Sequence, residues 1–137
     1  MFRDCGAFID TVYILALLNP RDRWHQKAVE LSKVRRAPLV TSHAVLTEVA
    51  DALAHRSRRA WASQAIDDLR ADADVKCVTV DASIFAGALR LYRERADKDW
   101  SLTDCTSFCI MRRQELTDAL TADSHFVQAG FRALMQE

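Results

Sequence analysis

The sequence predicts an α/β domain: one parallel sheet, doubly wound, with helices on both faces. Three observations carry that expectation. The 137 residues lie near the commonest size for a single hydrophobic core, so residues 1–137 are read as one domain. Half of them are hydrophobic and 28% are charged, the balance of a chain that folds around a packed interior. Short apolar or β-branched runs alternate with longer stretches whose apolar residues recur every three or four positions. With only 3 Gly and 2 Pro, the turn-dense pattern of an all-β sandwich is excluded. Strands that alternate with helices to the end of the chain pair in parallel, joined by helical crossovers.

Each element has its own signal. CGAFID, Cys5 to Asp10, is a short apolar run ending in an acid and predicts the first strand. TVYILALL, from Thr11, continues at helical spacing until Asn19-Pro20 breaks it. Asp22 is placed to cap a second helix that carries Trp24, Ala28, Leu31 and Val34. That helix closes on Lys33, Arg35 and Arg36, cations that suit a helix C-terminus. Pro38 to Thr41 predicts the second strand. Thr41 or Ser42 then caps a helix bearing Val45, Leu46, Val49, Ala52 and Leu53, and an amphipathic stretch from about Arg58 to Ala71 could pair with it as a helical hairpin. DVKCVTV, Asp74 to Val80, alternates as a strand, and Asp81 with Ser83 opens a helix through Ile84, Phe85, Ala88, Leu89 and Tyr92. After the polar ADKDW, Ser101-Leu102-Thr103-Asp104 reads as a capping box for a helix through Phe108, Ile110 and Met111. ALTAD, ending at Asp123, is the last expected strand, followed by SHFVQAG.

Composition narrows the chemistry. The 19 Lys and Arg balance 19 Asp and Glu, which by itself does not suggest a polyanion partner. The charge is uneven, however: between Arg21 and Arg59 nine basic residues face four acidic ones, a flank whose plain reading is a solvated helix surface. No run approaches the ~20 apolar residues of a membrane span. The opening MFRDCGAFID carries acids where a secretion signal is basic and then apolar, so the expected compartment is the cytoplasm. Cys5, Cys77, Cys105 and Cys109 lack the CxxC pairs of a zinc site and are too sparse for a disulfide scaffold. They are expected to be reduced thiols, with Cys105 and Cys109 packing on one helix face. There is no glycine-rich phosphate loop and no GxSxG elbow. His25, His43, His55 and His125 form no HExxH pair and are read as surface or hydrogen-bonded side chains.

Carboxylates remain. In a parallel sheet all strand C-termini point to one edge, where ligands bind at the topological switch point. Asp10 and Asp123 each end an apolar strand run; the ordinary role of either is a helix N-cap, and two acids in matching positions shift the balance toward a site. Asp104 is sufficiently explained by its capping box. Glu48 borders the apolar face of Val45, Leu46, Val49, Ala52 and Leu53, where a carboxylate needs a partner or a metal. Asp51, one turn on, and Asp99 are read as solvated acids near the same region.

FIDTVYILALL, the TEVADAL helix, SLTDCTSF and ALTADSHF together resemble the four acidic motifs of the PIN-domain nucleases, in order and in spacing. The resemblance runs over essentially the whole chain, including FVQAGFRAL, and is strongest to the VapC-type toxins of bacterial toxin-antitoxin pairs. It implies a PIN-like α/β/α sandwich in which Asp10, Glu48, Asp104 and Asp123 bind Mg²⁺ or Mn²⁺ and cleave RNA, Glu48 directly or through water. By position it also implies supporting hydroxyls at Thr11, Ser101 and Thr121. Val12 departs from the small polar residue common in the family. The resemblance further implies a homodimer held inactive by a small cognate antitoxin. Residues Val45 to Ala54 and Trp61 to Leu69 are expected to offer the groove for an amphipathic antitoxin segment.

Hard divalent ions prefer carboxylate oxygens, which suits four acids. Setting those four aside leaves 19 basic residues against 15 acidic, a body compatible with RNA. Trp24, Trp100 and Phe126 are candidate stacking groups for unpaired bases, although core packing is the commoner role for at least two of them. Three other readings are weighed. A PIN nuclease of RNA processing would share the acids without a toxin role. A non-catalytic RNA- or protein-binding module would lack a complete acidic set. A phosphotransfer receiver would need an acidic pair near the N-terminus and a late lysine after a strand, and neither is seen.

Overall fold

A computed structural model describes residues 6–137. Five parallel strands form one sheet in the order β3-β2-β1-β4-β5. They are β1 (Ala7–Ile9), β2 (Leu39–Ser42), β3 (Val75–Val78), β4 (Asp118–Leu120) and β5 (Arg132–Ala133). The helices are α1 (Thr11–Leu18), α2 (His25–Ser32), α3 (His43–Ala52), α4 (Arg59–Ala71), α5 (Ala82–Glu94), α6 (Leu102–Arg113) and α7 (Ser124–Gln128), and a 3₁₀ turn spans Leu134–Gln136.

The chain steps outward from β1 to β3, then jumps back across β1 to β4. Parallel crossovers are right-handed, so this reversal puts the later helices on the opposite face. Helices α1 to α4 accordingly contact one another in one layer, and α5, α6 and α7 in the other. At the switch point β1 runs into α1 while the neighbouring β4 runs into α7. Their carboxyl ends diverge, opening a crevice at that edge.

Local signals explain most boundaries. Ser42, rather than Thr41, caps α3 by accepting from the Val45 N–H, while the Thr41 hydroxyl donates to the Ile9 carbonyl and ties β2 to β1. Asp22 does not cap α2: the helix begins at His25, and Asp22 accepts from the Trp24 N–H in the turn before it. Asp81 caps α5, and Ser101 with Asp104 forms the expected capping box of α6. The last expected strand is shifted. β4 ends at Leu120, so Thr121, Ala122 and Asp123 form the exit into the crevice rather than ladder positions. β5 has only two residues, too few for an alternation signal, and was not expected. Gly6 is required by close approach, because a Cβ there would lie 2.6 Å from the Pro38 carbonyl oxygen.

One part of the core positions the crevice directly. Trp100 packs edge-on to Phe108, and Phe108 edge-on to Phe126, with ring centroids 5.0 Å apart in both pairs. Burying each phenylalanine contributes about 1.5–3 kcal/mol, and such edge-to-face pairs about 0.5–1.5 more. This stack locks α6 to α7. It also removes Trp100 and Phe126 from the candidate base-stacking groups, since they are 4% and 0% exposed. Trp24 is half-buried beneath the Arg23 guanidinium, 4.8 Å from its ring centre. Among the described residues no helix is long and apolar enough to cross a membrane.

Candidate active site

The crevice is built from one residue after β1, one turn of α3, the start of α6 and the exit from β4. Asp10 follows β1 immediately and occupies the N-cap position of α1, yet its side chain makes no capping bond. Instead its Oδ2 accepts from the Thr121 hydroxyl at 2.7 Å, across the switch point. Burial pushes the Asp10 carboxyl up to about 7, the nearby charges of Asp104 and Glu48 push the same way, and the Thr121 hydroxyl and Thr11 backbone oppose them. Thus Asp10, itself almost out of water, feels the charge of two neighbouring carboxylates.

Glu48 lies half-buried in the middle of α3, where the Thr11 hydroxyl donates to its Oε1 at 2.6 Å. Asp104 sits in the first turn of α6, its Oδ2 accepting from the Ser101 N–H. Asp123 caps α7, accepting from the His125 N–H, and its own N–H donates to the Thr121 hydroxyl oxygen. Thr121 therefore links two acids, giving a hydrogen bond to Asp10 and taking one from Asp123. The exit segment is itself clamped from below, because the carbonyls of Thr121 and Ala122 accept from the Met135 N–H and the Gln136 amide.

All four sequence-selected acids thus stand at one edge of the sheet. Thr11 and Thr121 orient Glu48 and Asp10, whereas Ser101 acts on Asp104 through the capping box. Asp51 and Asp99 are exposed, in keeping with solvated acids. Cys105 is buried and Cys77 and Cys109 half-buried, all three free; burial, with Asp104 beside it, raises the Cys105 thiol to about 11. Cys5 lies outside the described residues.

His125, read from the sequence as a surface or hydrogen-bonded side chain, is hydrogen-bonded, and to a crevice acid, a place the sequence did not give it. Its Nδ1 lies 2.9 Å from Asp104 Oδ2 and 3.4 Å from Asp123 Oδ1, bridging the starts of α6 and α7. The available signal was its place two residues after a strand-end acid; a search for paired histidines could not find it. Among the described residues no Lys or Arg lies within 4.0 Å of any of the four carboxylates. Three half-buried carboxylates gathered with the buried Asp10, with no ammonium or guanidinium partner among the described residues, fit a divalent cation, and donor atoms of Asp104, Asp123 and His125 lie within 4.8 Å of one another.

The expected groove is corrected in one wall. Val45, Leu46 and Val49 are buried in the core and cannot line it. Ala50, Asp51 and Ala54 do line a groove against Ala62, Ser63 and Ile66 of α4, while a more apolar groove runs between α1 and α4, with Tyr13, Leu17 and Leu18 facing Trp61, Ala65 and Leu69 and with Ala52 and Leu53, at the end of α3, closing one end. Arg21 and Arg58 stand at that end.

Known proteins resemble this chain in sequence and in fold. The PIN domain family matches residues 7–132. The chain is 32% identical over 126 residues to the 23S rRNA-specific endonuclease VapC20 of Mycobacterium tuberculosis, covering 90% of this chain and 94% of the relative. The crystal structure of that VapC20, a sarcin-ricin loop cleaving toxin, superimposes with a TM-score of 0.86 at 28% identity, over 92% of this chain and 96% of that one. The fold is also that of FitAcB from Neisseria gonorrhoeae, at a TM-score of 0.64 and 19% identity over 93% of this chain and 94% of that one. VapBC2 from Rickettsia felis, solved with a promoter DNA fragment, has the same fold at 0.63 and 14% over 90% and 92%.

Proposed function

The chain belongs to the PIN-domain family, and from that premise we propose that it is a divalent-cation-dependent endoribonuclease, the toxin of a toxin-antitoxin pair, acting on 23S ribosomal RNA. The observation that carries the chemistry is the convergence of Asp10, Glu48, Asp104 and Asp123 on one crevice with no Lys or Arg among the described residues paired to them. The likeness to VapC20 supports the substrate and the toxin role.

Asp10, Asp104 and Asp123 would hold Mg²⁺ or Mn²⁺, and Glu48 would do so directly or through a water. When bound, the cation lowers the pKa of a water and offsets charge on the phosphoryl oxygens during in-line hydrolysis. The protein's share is preorganisation. The Thr11 and Thr121 hydroxyls fix one oxygen each of Glu48 and Asp10, and the capping bonds fix one oxygen each of Asp104 and Asp123, leaving the other oxygen of Glu48, Asp104 and Asp123 without a hydrogen-bond partner among the described residues. The low-dielectric floor around Asp10 strengthens its attraction for a cation over that of a solvated acid.

The inhibitory partner would be a small antitoxin whose amphipathic segment lies in the α1–α4 groove. An Arg or Lys from it could reach the acidic crevice, competing with the cation. The chain itself would act as a homodimer in the cytoplasm.

The purified chain should cut 23S rRNA only with Mg²⁺ or Mn²⁺, and EDTA should abolish cutting. EDTA-resistant cleavage by the pure protein overturns the metal mechanism. Expression alone should arrest growth and co-expression of the adjacent small gene should restore it. Harmless expression of a monomer with no co-purifying partner removes the toxin role and leaves the processing-nuclease reading.

A further inference from the structure

We infer that His125 supplies a nitrogen ligand to the cation site, which makes this chain favour Mn²⁺ over Mg²⁺; this rests on the nuclease reading above and adds a donor to its four carboxylates. Three observations place it there. The first is spacing. An octahedral ion holding ligands at about 2.1 Å separates neighbouring donors by about 3 Å, and Nδ1 stands 2.9 Å and 3.4 Å from oxygens of Asp104 and Asp123.

The second is rigidity. The His125 backbone N–H is held by Asp123, and the adjoining Phe126 is fully buried against Phe108 of α6, so the imidazole is fixed relative to both acids. The third is free valence. Asp104 and Asp123 each spend one oxygen on backbone N–H groups, while Asp104 Oδ1 and Asp123 Oδ2 have no hydrogen-bond partner among the described residues. Nδ1 itself faces the other oxygen of each acid, Asp104 Oδ2 and Asp123 Oδ1, and donor atoms of the three residues gather within 4.8 Å of one another at two helix starts.

A neutral imidazole carries one N–H. In the metal-free protein that hydrogen sits on Nδ1 and is donated to Asp104; in the tautomer with the hydrogen on Nε2, Nδ1 presents its lone pair instead, with no net proton change. Nitrogen is a poor donor to Mg²⁺ and a good one to first-row transition ions, so the third ligand discriminates where carboxylates alone discriminate little.

The experiment is calorimetric titration of MnCl₂ and MgCl₂ into the full chain and into His125→Ala and His125→Asn, with pulsed electron paramagnetic resonance of the Mn²⁺ complexes. The wild type should bind Mn²⁺ at least about tenfold tighter than Mg²⁺ and show a directly coordinated nitrogen. His125→Ala should lose that nitrogen signal and about tenfold of the Mn²⁺ affinity while Mg²⁺ binding changes little. His125→Asn, offering an amide oxygen, should narrow the preference. Absence of a coordinated nitrogen in the wild type, or equal change for both ions in His125→Ala, overturns the ligand role and leaves the carboxylate site standing. Failure of the wild type to bind either ion removes the metal reading itself.

Discussion

The β1–β4 strand pair buries an aspartate at each end, and the chain treats the two in opposite ways. Asp118 opens β4 opposite Ala7, is 4% exposed, and is flanked by Arg36 at 3.5 Å and Arg132 at 3.3 Å; Arg132 also grips Glu137. Asp10 follows β1 at the other end, is 5% exposed, and receives a hydroxyl and the repulsion of two further carboxylates. Removing a carboxylate from water costs several kcal/mol. At the amino edge guanidinium groups offset that cost within the protein. At the carboxyl edge no Lys or Arg among the described residues does so, and on the proposed reading a cation takes that place.

Asp10→Asn tests the contrast most strongly. It should lower 23S rRNA cleavage by at least about a hundredfold, roughly 3 kcal/mol of barrier, in a gel assay at saturating Mn²⁺. The same variant should gain stability. Because the folded carboxyl titrates near 7 and the free one near 3.8, the folded state retains a proton that the unfolded state releases between those values. Stability of the metal-free protein must therefore fall as pH rises from about 4 to about 7, by about 1.4 kcal/mol per unit of displacement at most. Thermal melts in EDTA from pH 5 to pH 8 should show this decline, and Asp10→Asn should flatten it. A decline of equal size in both proteins would assign it to other groups.

The mirror experiment is Arg36→Ala. Leaving Asp118 with only the half-exposed Arg132 should cost about 2–3 kcal/mol in denaturant unfolding, without changing cleavage per folded molecule. Combining Arg36→Met with Asp118→Leu should recover much of that loss, as replacing a whole buried pair does. If Arg36→Ala also lowers cleavage, the two edges are coupled and the division of roles fails.

Thr121→Val should have a smaller effect, about tenfold on cleavage, because the lost hydroxyl both donates to Asp10 and accepts from Asp123, contacts of about 1 kcal/mol each. Smallest of all is replacement of Cys5, Cys77, Cys105 and Cys109 by Ala. Cleavage should be unchanged and elemental analysis should find no stoichiometric zinc; one zinc per chain, lost with Cys105 and Cys109, would overturn the reduced-thiol reading.

Much of this was legible in one dimension. Periodicities of two and of three to four residues report which face of a strand or helix is buried, so β1 to β4 and α1 to α6 could be placed within a few residues. Capping acids and hydroxyls such as Ser42, Asp81 and Ser101 announce helix starts through bonds spanning three residues. Asp10 and Asp123 were selectable because acids interrupt apolar runs where strands end, and Glu48 because it borders an apolar helix face; Asp104, accounted for locally by its capping box, joined them only through the resemblance to the PIN-domain family. β5 was not legible, since two residues carry no period.

What only the tertiary structure decided is which buried charges have partners. Asp10 and Asp118 look alike in sequence context, each beside apolar strand residues, and His125 looks like any helix-start histidine. Their roles depend on contacts between residues 37 apart for Thr11 and Glu48, 21 apart for Asp104 and His125, and 111 apart for Asp10 and Thr121. Local propensity acts over a few bonds, whereas desolvation and Coulomb energy depend on separation in space. The sequence by itself therefore determined where the carboxylates stand along the chain, and the folding of the sheet determined which of them Arg36 and Arg132 neutralise and which two bring their charge to bear on Asp10.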